Sequence, residues 1–214
     1  HEFFRFPAVS EFKGLVNNPP RGSLASLITE AKSAVVGGNV ERCADLLRQV
    51  SERLEPASPL EKAEYWHLTG RLRLVQGNDD DASCAFKRAA EIQPQAKYWA
   101  AWAECEMRRR FRTDQGQDYS DVLYALPADA DTALLGVKAR LLAASRKRTE
   151  ALALLDTFEG AESLAARAVV ETMFSNPDQA LQACIDGVAL EEKRESTRLL
   201  FLILRARARF NIAL

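Results

Sequence analysis

The chain has 214 residues, of which 47% are hydrophobic and 28% charged, with a formal net charge of −1. That much apolar surface supports a continuous core and argues against wholesale disorder, and the balanced charge argues against a generally basic nucleic-acid binder. Four cysteines without a CxxC pair, and two histidines, His1 and His67, argue against a disulfide framework and against a zinc or other metal site.

In chain order, residues 1–22 place Phe3, Phe4, Phe6 and Phe12 among Pro7, Pro19 and Pro20. Proline breaks this stretch too often for a long helix. It is expected to be an extended arm, docked on the body or on a second copy, because four phenylalanines in water are an aggregation liability. His1-Glu2-Phe3 reads as a tag remnant. Residues 23–214 are expected to form one helical-repeat domain. Strong helix formers dominate it, and period-two runs of Val, Ile and Thr are absent. Apolar stripes such as Leu46, Leu47, Val50 and Leu54, or Leu152, Leu154, Leu155 and Phe158, give helices one apolar face. Asn39 and Asn78 are N-cap candidates before helices over 40–54 and 79–92. Asn176-Pro177-Asp178 places a proline at a first helical position. Residues 111–118 read as an irregular connection. Residues 193–213 read as a terminal helix without a partner helix in this chain. No apolar run reaches the ~20 residues of a membrane helix.

A repeated spacing organises these helices. Gly70 and Ala82 lie 12 residues apart with Gly77-Asn78 between them. The same separation joins Ala31 to Cys43, Ala139 to Ala151 and Ala168 to Ala180, each across a turn signal. Ala103 pairs with Gln115 in the weakest unit. Trp66 and Trp99 are 33 apart, as are Gly70 and Ala103, and Pro94 and Pro127. A helical hairpin of this kind cannot bury its apolar face alone and needs stacked neighbours.

Trp66, Gly70, Gly77-Asn78, Ala82, Phe86, Ala89 and Pro94 together resemble the tetratricopeptide repeat. The resemblance is clear over 63–94 and weaker over 24–54, 96–127 and 132–190. Arg73 stands where that family favours an aromatic, and Glu106 stands at the equivalent place one unit later. The run 98–104 also echoes the half-a-tetratricopeptide repeats of RNA-processing scaffolds. The resemblance implies an all-α, right-handed α-solenoid of about five helix–turn–helix pairs plus the terminal helix. It also implies that the first helix of each pair lines a concave groove. Carried onto this sequence, the groove positions are Lys32, Val35 and Val36, then Glu64, His67, Arg71, Leu74 and Val75. Lys97, Glu104, Met107 and Arg108 follow, then Gly136 and Arg140, then Glu162, Thr172 and Met173. Where chaperone-tail binders of the family carry a Lys/Asn/Arg carboxylate clamp, this chain has Ala101, Ala133 and Val137, so that role is disfavoured.

The expected function is a non-catalytic scaffold or adaptor. It would hold an acidic, partly hydrophobic peptide or helix on Lys32, His67, Arg71, Leu74, Lys97, Glu104, Arg108 and Arg140. Two basic clusters offer an alternative. Arg108, Arg109, Arg110 and Arg112 are placed in the turn of the third pair, and Arg146, Lys147 and Arg148 in the turn of the fourth. Stacked turns would align them into a ridge for RNA or anionic lipid. Apart from Phe111, between Arg110 and Arg112, aromatics for base stacking are not interleaved with them, which disfavours nucleic acid. A further alternative is the regulatory part of a larger enzyme. Leu200, Phe201, Leu204 and Phe210 of the terminal helix are candidates for an interface with a partner or a second copy. No phosphate loop, GxSxG or HExxH motif is present, so neither catalysis nor a cofactor is expected. The four thiols are expected to be buried and reduced, which favours a cytoplasmic setting.

Overall fold

The structure, a computed structural model, describes residues 22–113 and 118–190. The phenylalanine-rich arm, Gln115 and the terminal helix lie outside the described residues. The chain divides into two compact units, His1–Pro94 and Gln95–Leu214.

The first unit holds two helical hairpins. Helix α1 (Leu24–Val36) pairs with α2 (Val40–Ser51), and α3 (Pro59–Val75) pairs with α4 (Asp79–Ile92). The first helices of the two hairpins, α1 and α3, also pack on each other. Each start is chemically marked. Ser23 Oγ accepts from the Ser26 amide at 3.2 Å, and Asn39 Oδ1 from the Arg42 amide at 3.0 Å. Ser58 and Glu61 form a full capping box ahead of Pro59, and Asn78 caps α4 through the Asp81 amide. Such caps contribute about 1 kcal/mol each. The core joins Leu27, Ile28 and Ala31 to Cys43, Leu46, Leu47 and Val50, and reaches Leu68 and Leu72.

The second unit continues the pattern. Helix α5 (Ala96–Thr113) is followed by the short α6 (Ser120–Ala125). Helix α7 (Thr132–Ala144) pairs with α8 (Arg148–Leu155), and α9 (Ala161–Met173) with α10 (Pro177–Leu190). The first helices α5, α7 and α9 lie side by side, α7 touching both of the others. Ala139, Ala143, Ala151, Leu155, Ala166 and Val170 form one core cluster across α7, α8 and α9.

One backbone device recurs in four hairpins. A residue in the left-handed region ends the first helix: Gly38 (φ 73°), Gly77 (φ 78°), Arg146 (φ 63°) and Ser175 (φ 57°). The next amide then donates back five residues: Asn39 to Ala34, Asn78 to Arg73, Lys147 to Leu142 and Asn176 to Glu171, at 2.8 to 2.9 Å. This is the wide loop of a Schellman ending. It turns each chain by the same geometry into the second helix. The small residues of the 12-residue spacing, Ala31, Cys43, Ala82, Ala139, Ala151, Ala168 and Ala180, are all fully buried.

Three expectations are corrected. Arg108, Arg109, Arg110 and Arg112 do not sit in a turn, because α5 runs unbroken to Thr113. Helix α2 ends at Ser51 rather than 54. Cys84 is exposed, whereas Cys43, Cys105 and Cys184 are buried.

Candidate functional site

The second unit carries a cleft of about 380 Å³ on the face shared by α5, α7 and α9. Its lining follows a register. Ala100, Gly136 and Ala165 each lie three residues before the buried small residue of their helix (Ala103, Ala139, Ala168). These three residues offer no side-chain bulk and form the floor. Four residues on, one helical turn, stand Glu104, Arg140 and Val169. Three residues back stand Ala133 and Glu162. A β-carbon on Gly136 would make ordinary van der Waals contact with the Ala166 β-carbon, at 3.5 Å, so the glycine leaves that much space at the floor. In the first unit the equivalent positions carry the larger Ile28 and His67. The His67 ring packs 5.5 Å from the ring of Phe86.

The polar wall is partly self-satisfied. Arg140 donates to Glu104 at 2.5 Å, and Arg140 is 27% exposed. Glu162 is exposed, and among the described residues no hydrogen bond or ion pair engages its carboxylate. The expected groove residues thus divide between the units. Glu104, Gly136, Arg140 and Glu162 meet in this cleft. Lys97 lies outside its lining, its ammonium 4.5 Å from the Tyr98 ring centroid. Arg108 is exposed on α5, two turns from Ala101. Lys32, His67, Arg71 and Leu74 belong to the first unit. Lys32 is exposed, and Arg71 and Leu74 are half-buried. Burial pushes the Cys43 thiol up, and the Arg71 guanidinium partly offsets this. Val36, Val75 and Met173 are exposed at the ends of their first helices. Sequence reading passed over Ala100, Ala165 and Ala166. Ala100 and Ala165 carried a signal, as small residues three before the repeat's own small residue.

The basic residues lie differently from a free ridge. Arg109 and Arg110 both reach the buried Glu106, at 2.9 and 3.4 Å. Arg110 also donates to Asp121 at 2.5 and 2.9 Å, tying α5 to α6. Arg148 donates to the buried Glu171 at 2.8 Å. Lys147 lies 3.9 Å from Glu150. Arg112 and Arg146 are exposed. Leu200, Phe201, Leu204 and Phe210 lie outside the described residues.

Among the described residues, no group of three His, Cys, Asp or Glu side chains could hold a metal, and no helix is long and apolar enough to cross a membrane. No family model matches the sequence, and no curated protein matches it. Among solved structures, the chain is similar to a tetratricopeptide repeat protein from Parabacteroides merdae. That likeness has a TM-score of 0.55 at 16% identity, over 91% of this chain and 74% of the other. The chain has a tetratricopeptide-like helical-repeat fold. The tetratricopeptide-like pairs are α1–α2, α3–α4, α7–α8 and α9–α10, and after α5 the second-helix place is taken by the degenerate α6 of 6 residues.

Proposed function

We propose that this repeat protein is a non-catalytic scaffold that holds a partner protein against the first-helix face of its second unit. The cleft over α5, α7 and α9 supports this reading: it has an apolar floor of small residues and a few polar groups at its edge. Shape of this kind suits a peptide or helix laid across the three helices. Rigid stacked hairpins lose little entropy when a partner docks, so modest contacts suffice for useful affinity. The ridge reading is less well supported, because Arg109, Arg110 and Arg148 already face carboxylates.

The test is affinity capture with the wild-type chain, Ala133→Trp and Arg71→Glu. Ala133 is exposed and lines the cleft, so tryptophan there fills the site without entering the core. Loss of a captured partner from Ala133→Trp, with the circular dichroism spectrum unchanged, is the expected result. Equal capture by all three proteins would end the proposal.

A further inference from the structure

The cleft of the second unit carries a charge preference that follows from how its three ionic groups are used. Its lining holds two carboxylates, Glu104 and Glu162, and one guanidinium, Arg140. Arg140 and Glu104 neutralise each other at 2.5 Å. Glu162 is left over, exposed at the cleft and unengaged among the described residues. An incoming carboxylate would compete with Glu104 for Arg140 and would face two anions. An incoming cation meets Glu162 without breaking anything.

Resting on the scaffold reading above, we infer that the occupant of this cleft is an apolar peptide segment of a partner protein carrying one lysine or arginine, whose charged end pairs with Glu162. The floor fits the rest of that side chain. A lysine or arginine stem is an apolar chain with a polar tip. Laid over Ala165 and Gly136, the stem covers small apolar surface while its tip reaches the carboxylate. Glu162 stands in the first turn of α9, at the edge of the cleft. The preference opposes the acidic partner that the arginines suggest when counted by sequence alone. Arg140 contributes by neutralising Glu104, not by reading the ligand.

A random peptide library displayed on phage, panned in parallel on the wild-type chain, Glu162→Lys and Ala133→Trp, tests this. Enrichment on the wild type of apolar peptides with a basic residue, lost with Ala133→Trp and shifted to acidic peptides with Glu162→Lys, is the expected result. In an enriched peptide, changing that lysine to norleucine should weaken wild-type binding about fivefold, the size expected of a solvent-screened ion pair. The same change should leave Glu162→Gln binding unaltered. Enriched peptides that Ala133→Trp loses but that carry no basic residue would overturn the charge preference and leave the cleft as a binding site. Enrichment unaffected by Ala133→Trp, or no enrichment at all, would overturn the cleft reading and this inference together.

Discussion

The ring of Phe86 occupies the place where a side chain on residue 70 would be. A β-carbon built on Gly70 would lie 2.7 Å from two ring carbons of Phe86 and 2.9 Å from a third. Phe86 is 2% exposed and cannot retreat into solvent. Glycine is thus required in mid-helix by packing, although it weakens a helix by about 1 kcal/mol relative to alanine.

Gly70→Ala should therefore destabilise the protein despite better helix propensity. Overpacking of this kind costs about 1–3 kcal/mol, which exceeds the propensity gain at the upper end. Urea unfolding gives the comparison. Adding Phe86→Leu, which withdraws the ring, should return part of the loss. An additive double variant would show that residue 70 is selected by something other than the ring.

Glu171 is the buried half of a clasp between the fourth and fifth pairs. Its side chain is 5% exposed and accepts from Arg148 at 2.8 Å and from Asn176 at 2.9 Å. Arg73, Glu106 and Glu171 occupy one position of the repeat, where the family favours an aromatic, and all three form ion pairs. Glu171→Ala should cost about 1–3 kcal/mol, because it strands the partly buried donors of Arg148 and Asn176. The 41% exposure of Arg148 lets that cation turn to water and keeps the effect below that of a fully buried pair. Arg73→Ala, whose 3.9 Å contact with Asp81 is exposed on both sides, should change stability little. Equal effects from the two substitutions would remove burial as the deciding factor.

Ser175→Gly should stabilise the fifth pair. Ser175 holds φ 57° at the place where the first two hairpins use Gly38 and Gly77. A left-handed residue with a β-carbon carries about 1–2 kcal/mol of strain, part of which glycine's greater unfolded-chain entropy offsets. A rise in thermal midpoint of a few degrees is expected for a domain of this size. A lower midpoint would show that the serine side chain stabilises the turn.

The hairpin spacing was legible because small residues meet where backbones approach, and such contacts admit few residue types. Gly70, Ala82, Ala139 and Ala168 carried that signal. The caps Asn39 and Asn78 were legible for a similar reason, since few side chains satisfy a helix start. The partners of the arginines were not. Arg110 finds Asp121 across 11 residues, and Arg148 finds Glu171 across 23, through the packing of separate helices. A run of basic residues in sequence says nothing of which carboxylates the fold will bring to it. The cleft floor was half legible. Gly136 was placed by resemblance, while Ala100 and Ala165 look like ordinary helix-forming alanines until three helices are set side by side.

Cys84 should be the most reactive thiol of the described residues. It is exposed on α4, while Cys43, Cys105 and Cys184 are buried. Burial also pushes the Cys43 thiol up and lowers its thiolate fraction. Brief alkylation under native conditions, followed by peptide mass mapping, should modify Cys84 first. Faster labelling of Cys43 would require an opening of the α1–α2 hairpin.

Asp121 gives the second unit an acid-sensitive contact. The Arg110 hydrogen bonds hold its carboxyl below the usual carboxylate range. A carboxyl with a lowered folded value stabilises the protein above its unfolded value, about pH 4, and loses that contribution as pH falls through the folded value. Asp121→Asn should thus lower stability at neutral pH and converge with the wild type in acid. The difference should stay near or below about 1 kcal/mol, because the Asp121 side chain is 67% exposed and solvent screens the pair. Urea midpoints of the two proteins from pH 7 down to about pH 3 measure the gap. A gap that stays constant over that range would mean that the α5–α6 junction draws its stability from the Tyr119 ring, buried beside Arg110, and not from the carboxylate.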